Sequence, residues 1–363
     1  GQGIGINGTK YGPNRNYINY SNEELHHNYN DFATNCQVND FTNGTNVQQC
    51  DLVGLPDLDT SQLKVQTTIA NYLKQAISYG IYGFRIDAAK HINVNELNNI
   101  LSLLNSKEIQ YYFEVSGDTT GAIQPSDYLN IYNSKVTEFN FANKCINLFK
   151  SGYNTGLFDC INNNLLPSSH ALIFIDNHDT ERDGSAPLTY KNGYIYTLAN
   201  VFMLTIPYGH AKILSGYIFS DFDQGPPINS AINGQSKCPA AWQCTHRSFE
   251  LTIAIEFYNQ CTTAGGTSKS NDDDIIHDIF SDDLGHIGYG INHCGYIFFN
   301  TDTNSGMTMN NIQTGLPTGS YTNIFPYFQT NLTISVDNNG LTSFTLNPQE
   351  VAAFSSSSYR HTL

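Results

Sequence analysis

Gly83-Phe84-Arg85-Ile86-Asp87-Ala88-Ala89-Lys90-His91 is the most informative segment of the chain. Alternation along it places Phe84 and Ile86 on one face of a strand, and Arg85 and Asp87 on the other. The run is short and apolar, and it ends in a carboxylate with basic groups beside it. Two further segments repeat the pattern: Tyr112-Phe113-Glu114-Val115 and Phe174-Ile175-Asp176-Asn177-His178-Asp179. A buried strand that releases polar groups at its C-terminal end is how a parallel barrel delivers chemistry to its top face. Three carboxylates delivered in order point to a neutral, polyhydroxylated substrate, with glycoside hydrolysis as the leading candidate.

Spacing supports one sheet. Asp87 and Glu114 are 27 residues apart, close to one strand–helix repeat, and Glu114 and Asp179 are 65 apart, room for two. Lys135-Val136-Thr137-Glu138-Phe139-Asn140-Phe141 reads as the strand in that gap, and Ala211-Lys212-Ile213-Leu214-Ser215 as a further one. Val65, Ile69, Tyr72, Leu73, Ala76 and Ile77 follow helical spacing, behind a capping cluster at Asp59-Thr60-Ser61 and ahead of Gly80 as a stop. Tyr194 to Thr205 predicts a helix packed on the sheet. Strands alternating with helices imply a parallel sheet. A closed barrel and a doubly wound open sheet fit the alternation equally well.

At 363 residues the chain is expected to hold one large domain and a smaller one. A net charge of −15, with only 17 Lys+Arg, argues against nucleic acid and anionic membranes as partners. An aromatic content of 12% suits both a core and sugar-stacking surfaces. No apolar run approaches the ~18 residues of a transmembrane helix. The chain has neither an initiator Met nor a signal peptide, as expected of a mature or clipped product. Eight cysteines point to an oxidising compartment. Sequons at Asn7, Asn19, Asn43 and Asn331 are consistent with secretion.

In order and spacing, the three motifs resemble the signature regions of the α-amylases, with the animal-type enzymes as the nearest likeness. The resemblance extends over Val47-Gln48-Gln49-Cys50-Asp51-Leu52-Val53-Gly54-Leu55-Pro56-Asp57-Leu58 and over Phe202-Met203-Leu204 running into Pro207-Tyr208-Gly209. It continues through Trp242-Gln243-Cys244-Thr245-His246-Arg247 and Gln313-Thr314-Gly315-Leu316-Pro317-Thr318-Gly319-Ser320-Tyr321. It implies an α/β fold, a (β/α)8 TIM barrel with an inserted irregular domain and a C-terminal all-β sandwich. Barrel strands 1–3 are missing from this chain, so a fragment of a longer enzyme is expected. On that footing, residues 1–58 are the C-terminal part of the inserted calcium-binding domain, 59–263 carry barrel strands 4–8, and 264–363 form the β-sandwich. Short runs such as Tyr296–Phe299, Leu332–Val336 and Leu341–Leu346, with a hairpin turn at Asp337–Gly340, fit the last of these.

The implied activity is retaining endo-hydrolysis of α-1,4-glucosidic bonds in starch, glycogen and malto-oligosaccharides, by a secreted or lumenal protein that is monomeric when complete. Asp87 resembles the nucleophile, with Arg85 to keep it ionised by charge pairing. Glu114 resembles the general acid/base, and the aromatic residues beside it would raise its pKa. Asp179 resembles the third carboxylate, and His178 a donor to the same sugar. Lys90 and His91 resemble residues lining an aglycone subsite. Calcium is implied, held by the Asp57 carboxylate and the carbonyls of Gln48 and His91. Chloride is implied at Arg85, Asn177 and Lys212, where Lys gives one point charge in place of a bidentate fork. Cys36–Cys50 and Cys238–Cys244 resemble family disulfides. Cys145, Cys160, Cys261 and Cys294 have no family counterpart; 145–160 and 261–294 are the expected pairs, with other pairings open. Two alternatives remain: a transglycosylase, and a non-catalytic, amylase-derived starch-binding protein.

Overall fold

The computed structural model describes residues 3–4, 10–11, 31–33, 36–117, 120–131, 133–149, 160–161, 164–227, 238–239, 241–263, 275–282, 284–325 and 332–356. The chain divides into two compact units, Gly1–Glu138 with Leu166–Leu172 and Phe139–Leu165 with Ile173–Leu363.

In the first unit, β1 (Gly3–Ile4) and β2 (Lys10–Tyr11) form an antiparallel pair. Helix α1 (Gly44–Gln49) starts at Asn43, whose side chain accepts from the backbone N–H groups of Thr45 and Asn46. The Cys36–Cys50 disulfide closes the loop around it. Of the four sequon residues, Asn43 is exposed, and Asn7, Asn19 and Asn331 lie outside the described residues. Helix α2 (Leu63–Ser78) buries Val65, Ala70 and Leu73, and Gly80 at φ +94° ends it as expected. Tyr72, expected on the apolar face, is instead 62% exposed. The buried stripe is rotated toward Gln66 and Thr68, and the Gln66 amide donates to the Thr60 carbonyl at 2.8 Å.

The parallel sheet of this unit runs through β3 (Gly83–Ile86), β4 (Gln110–Phe113), β5 (Ser134–Thr137) and the start of β6 (Ala171–Ile173). Helix α3 (Val94–Ser102) connects β3 to β4 and packs on α2. Phe84 stands opposite Tyr111, Arg85 opposite Tyr112, and Ile86 opposite Phe113. That register brings the next residues, Asp87 and Glu114, out side by side, and the Glu114 N–H donates to the Ile86 carbonyl at 3.0 Å. The strand expected over 135–141 is shorter. It ends at Thr137, because the Glu138 carboxylate turns to accept the Leu166 N–H at 2.8 Å and helix α4 (Asn140–Cys145) begins two residues later.

In the second unit, the Ile173 carbonyl accepts the Lys212 N–H at 2.9 Å, next to the short strand β7 (His210–Ala211). The strand expected over 211–215 is therefore corrected to two residues. β6 is only three residues long, so a longer β7 has no ladder to pair with. Helix α5 (Thr180–Asp183) follows the third motif. Helix α6 spans Tyr194–Thr205 as expected and packs on α7 (Phe249–Thr263). Leu198, Val201, Phe202 and Met203 of α6 are buried.

The C-terminal part of this unit is all β. A four-stranded antiparallel sheet has the order β15 (Glu350–Ser355), β10 (Gly295–Asn300), β9 (His286–Ile291), β8 (Ile276–Ser281). Beside it are two ladders, β11 (Met307–Gln313) with β14 (Leu341–Leu346) and β12 (Gly319–Thr322) with β13 (Thr333–Val336). The Asp337–Gly340 turn joins β13 to β14 as expected, with Gly340 at φ +79°. The two strands nevertheless pair with different partners, so it is not a simple hairpin. Tyr296, Phe298, Phe344, Leu346 and Phe354 form the core here, each aromatic burial contributing about 1.5–3 kcal/mol.

All four expected disulfides are present: 36–50, 145–160, 238–244 and 261–294. Among the described residues, no helix is long and apolar enough to cross a membrane.

Candidate active site

Asp87 and Glu114 leave neighbouring parallel strands at the same level, and Arg85 lies between them. One guanidinium nitrogen contacts Asp87 Oδ1, and the other is 2.9 Å from Glu114 Oε1. The Glu114 carboxyl also receives the Ala88 N–H at 3.0 Å. That bond depends on Ala88 adopting the left-handed conformation (φ 47°), which reverses the chain directly after Asp87. A left-handed Ala costs about 1–2 kcal/mol, and the geometry it stores is spent at the carboxyl pair.

The two carboxyls differ in environment. The Asp87 side chain is 72% exposed, and that of Glu114 is 17% exposed. Burial pushes Glu114 above the usual carboxylate range. The Ala88 N–H and Arg85 pull it down, while the neighbouring Asp87 pushes it up again. Burial works against the Arg85 charge, but Glu114 and Asp87 outweigh it and hold the guanidinium above its ordinary value.

The turn after Asp87 is fixed from several sides. Lys90 is only 4% exposed, so it is not a solvated surface charge. Its ammonium donates to the Ser116 carbonyl at 2.9 Å and lies 5.3 Å from the Phe41 ring centroid. His91 Nδ1 is 2.8 Å from the Val47 carbonyl of α1, and its ring meets Phe41 edge-on. Burial depresses its pKa, the bond to Val47 opposes this, and Lys90 adds to it. The Tyr128 hydroxyl lies 2.9 Å and 2.8 Å from the carbonyls of Ala89 and Ile92. No sequence signal singled out Tyr128 or Ala88.

The candidate calcium donors belong to the same unit. The His91–Val47 contact brings α1 against the residue 89–91 turn, and the Gln48 carboxamide faces Asn93 and the Tyr128 hydroxyl. Asp57 is pinned through its backbone, donating to Asp51 Oδ1 and accepting from the Ala33 N–H, both at 2.9 Å. Two carbonyls and a carboxylate are hard oxygen donors that suit calcium. Among the described residues no cluster of three His, Cys, Asp or Glu side chains could hold a metal, as thiolate or imidazole chemistry would require.

The remaining candidates belong to the second unit. Asn177 Oδ1 accepts the N–H groups of Asp179 (2.9 Å) and Thr180 (2.8 Å), which starts α5. His178 Nε2 lies 3.2 Å from Asp179 Oδ2, and both side chains are about 60% exposed. Lys212 is exposed, with its N–H on the sheet. Asp176, inside the quoted motif but given no role by the sequence, is buried against Tyr196.

No family model matches the chain. The α-amylase of Streptomyces violaceus is 36% identical over 313 residues, covering 85% of this chain and 51% of that protein. That of Tenebrio molitor is 33% identical over 316 residues, covering 81% and 64%. The chain thus spans between half and two-thirds of these relatives' length. Among solved structures, wild-type α-amylase I of Eisenia fetida superposes with a TM-score of 0.81 at 26% identity, covering 98% of this chain and 78% of that one. The likeness selects the TIM-barrel class over the doubly wound open sheet. Sequence motifs, strand-end geometry and these relatives agree on a likeness to the α-amylases over most of this chain.

Proposed function

We propose that this chain carries the reacting carboxyl pair of a retaining α-amylase that cleaves internal α-1,4-glucosidic bonds of starch, glycogen and malto-oligosaccharides. The observation that carries this is the shared guanidinium: Asp87 and Glu114 leave adjacent strands side by side and both bind Arg85. Retaining enzymes need the carboxyls close together, about 5–5.5 Å apart, whereas inverting ones leave about 6.5–9.5 Å for a water. The exposed Asp87 is the nucleophile that attacks the anomeric carbon. The buried Glu114 gives its proton to the leaving oxygen, then takes one from the water that releases the sugar. Asp179 and His178 bind sugar hydroxyls. A Glu→Gln variant of the Eisenia fetida enzyme has been crystallised with maltohexaose, which supports the substrate class. Four disulfides favour a secreted protein. Residues 1–58, 59–263 and 264–363 correspond to insert, barrel portion and β-sandwich.

Calcium is proposed at the Asp57 carboxylate with the Gln48 and His91 carbonyls. It would tie the inserted segment to the β3 turn, and its role is structural.

Three outcomes are expected of the full-length enzyme. First, products form initially as the α-anomer, and Asp87→Asn or Glu114→Gln lowers kcat on starch by about 10⁴-fold or more. Inverted products, or a variant keeping a few per cent of turnover, would refute the assignment. Second, kcat falls as pH rises through the Glu114 pKa, because the acid must be protonated. Removing the Arg85 charge raises that pKa further, so Arg85→Gln moves the alkaline limb of kcat to higher pH. An unmoved or lowered limb would mean that Arg85 does not act on Glu114. Third, metal bound only by the folded state stabilises it, so excess chelator lowers Tm. An unchanged melting curve would remove calcium.

A further inference from the structure

The Asn177–His178–Asp179 turn follows a buried carboxyl that the reaction above leaves unused. Asp176 is 3% exposed. Its Oδ1 accepts the Tyr196 hydroxyl of α6 at 2.8 Å, and its Oδ2 is buried without a hydrogen-bond partner among the described residues. Tyr196 on α6 and Glu181 on α5 are the titratable groups that act on it, and Arg182 and Lys191 act in turn on Glu181. Glu181 is itself 8% exposed, and its N–H donates to the Asn177 carbonyl at 3.0 Å. Bonds within the turn are local: Asn177 Oδ1 caps Asp179 and Thr180, and Thr180 Oγ1 accepts the Asn177 N–H at 2.9 Å. The Asp176–Tyr196 bond reaches out of the turn to the well-packed helix α6.

A buried carboxylate with one donor, beside a second acid, is far costlier than the neutral acid. We propose that Asp176 is a positioning residue working as a neutral carboxylic acid: anchored on the Tyr196 hydroxyl, it fixes the backbone from which Asn177, His178 and Asp179 project, and its ionisation loosens that turn. This rests on the reading of Asp179 as a sugar-binding carboxylate. Burial pushes Asp176 up to about 7, with the Tyr196 bond opposing and the Glu181 charge adding.

The sign follows from linkage. A folded-state pKa near 7 against about 3.8 unfolded gives stability that is full below pH ~4 and is lost as pH rises toward ~7. Asp176→Asn keeps the shape but cannot ionise. The test measures Tm against pH for the full chain, together with the infrared carbonyl band of protonated carboxyls. The Tm gap between Asp176→Asn and the parent protein opens in the variant's favour across that window and then stays constant. A protonated-carboxyl band present at about pH 6 is absent from the variant. Tyr196→Phe, which removes the opposing bond, shifts the midpoint upward and serves if Asp176→Asn does not fold. In starch turnover, the kcat retained at about pH 8 relative to pH 6 rises about threefold or more in Asp176→Asn. Parallel Tm curves with no missing band would overturn the proposal. So would an unchanged kcat ratio. The Tm and infrared readings need no starch, so failure of the amylase reading alone would leave them intact and remove only the link to Asp179.

Discussion

Everything at the carboxyl pair hangs on how a single guanidinium, Arg85, is divided between Asp87 and Glu114. Two carboxylates on adjacent strand ends repel one another, and the more so the less water lies between them. Water softens that repulsion on one side, because the Asp87 side chain is 72% exposed. With Arg85 between them, both can occupy adjacent strand ends at a net charge of one. The asymmetry of burial then separates their roles. The exposed Asp87 is reachable by a sugar, and the buried Glu114 is raised and able to carry a proton.

Arg85 can bridge the pair only because backbone hydrogen bonds fix where the strands end. The parallel register sets Arg85 opposite Tyr112, so the carboxylates emerge one step later at equal height. Directly afterwards, the left-handed Ala88 turns its N–H onto Glu114. Tyr128, Lys90 and His91 then hold that turn through backbone carbonyls of Ala89, Ile92, Ser116 and Val47. Backbone acceptors are positioned by secondary structure, so strand and helix geometry passes directly to the carboxyl pair.

Much of this was legible in the sequence. The alternation around Arg85 gave the correct face, because strand periodicity is fixed by the pleat. Tyr194–Thr205 read correctly because a 12-residue apolar run is longer than most strands and suits a buried helix. Boundaries read less well. β7 is short because its neighbour β6 is short, a pairing constraint that no local pattern carries. Tyr72 was misplaced because Gln66 and Thr68 take buried positions, the Gln66 amide being satisfied by the Thr60 carbonyl just ahead of the helix. β13 and β14 read as a hairpin from their turn, yet each pairs elsewhere, since turn chemistry fixes the chain reversal and not the ladder. Tyr128 and Asp176 matter through contacts 36 and 20 residues away, which spacing rules do not reach.

The division of labour between Asp87 and Glu114 is open to direct chemical test. A fluorinated glucosyl fluoride, which slows release of the covalent intermediate, is incubated with the full-length enzyme, and the labelled peptide is sequenced by mass spectrometry. The label is predicted on Asp87, in the peptide that also contains Arg85. A label on Glu114 or Asp179, or none in an enzyme that inverts its product, would contradict the assignment of Asp87 as nucleophile.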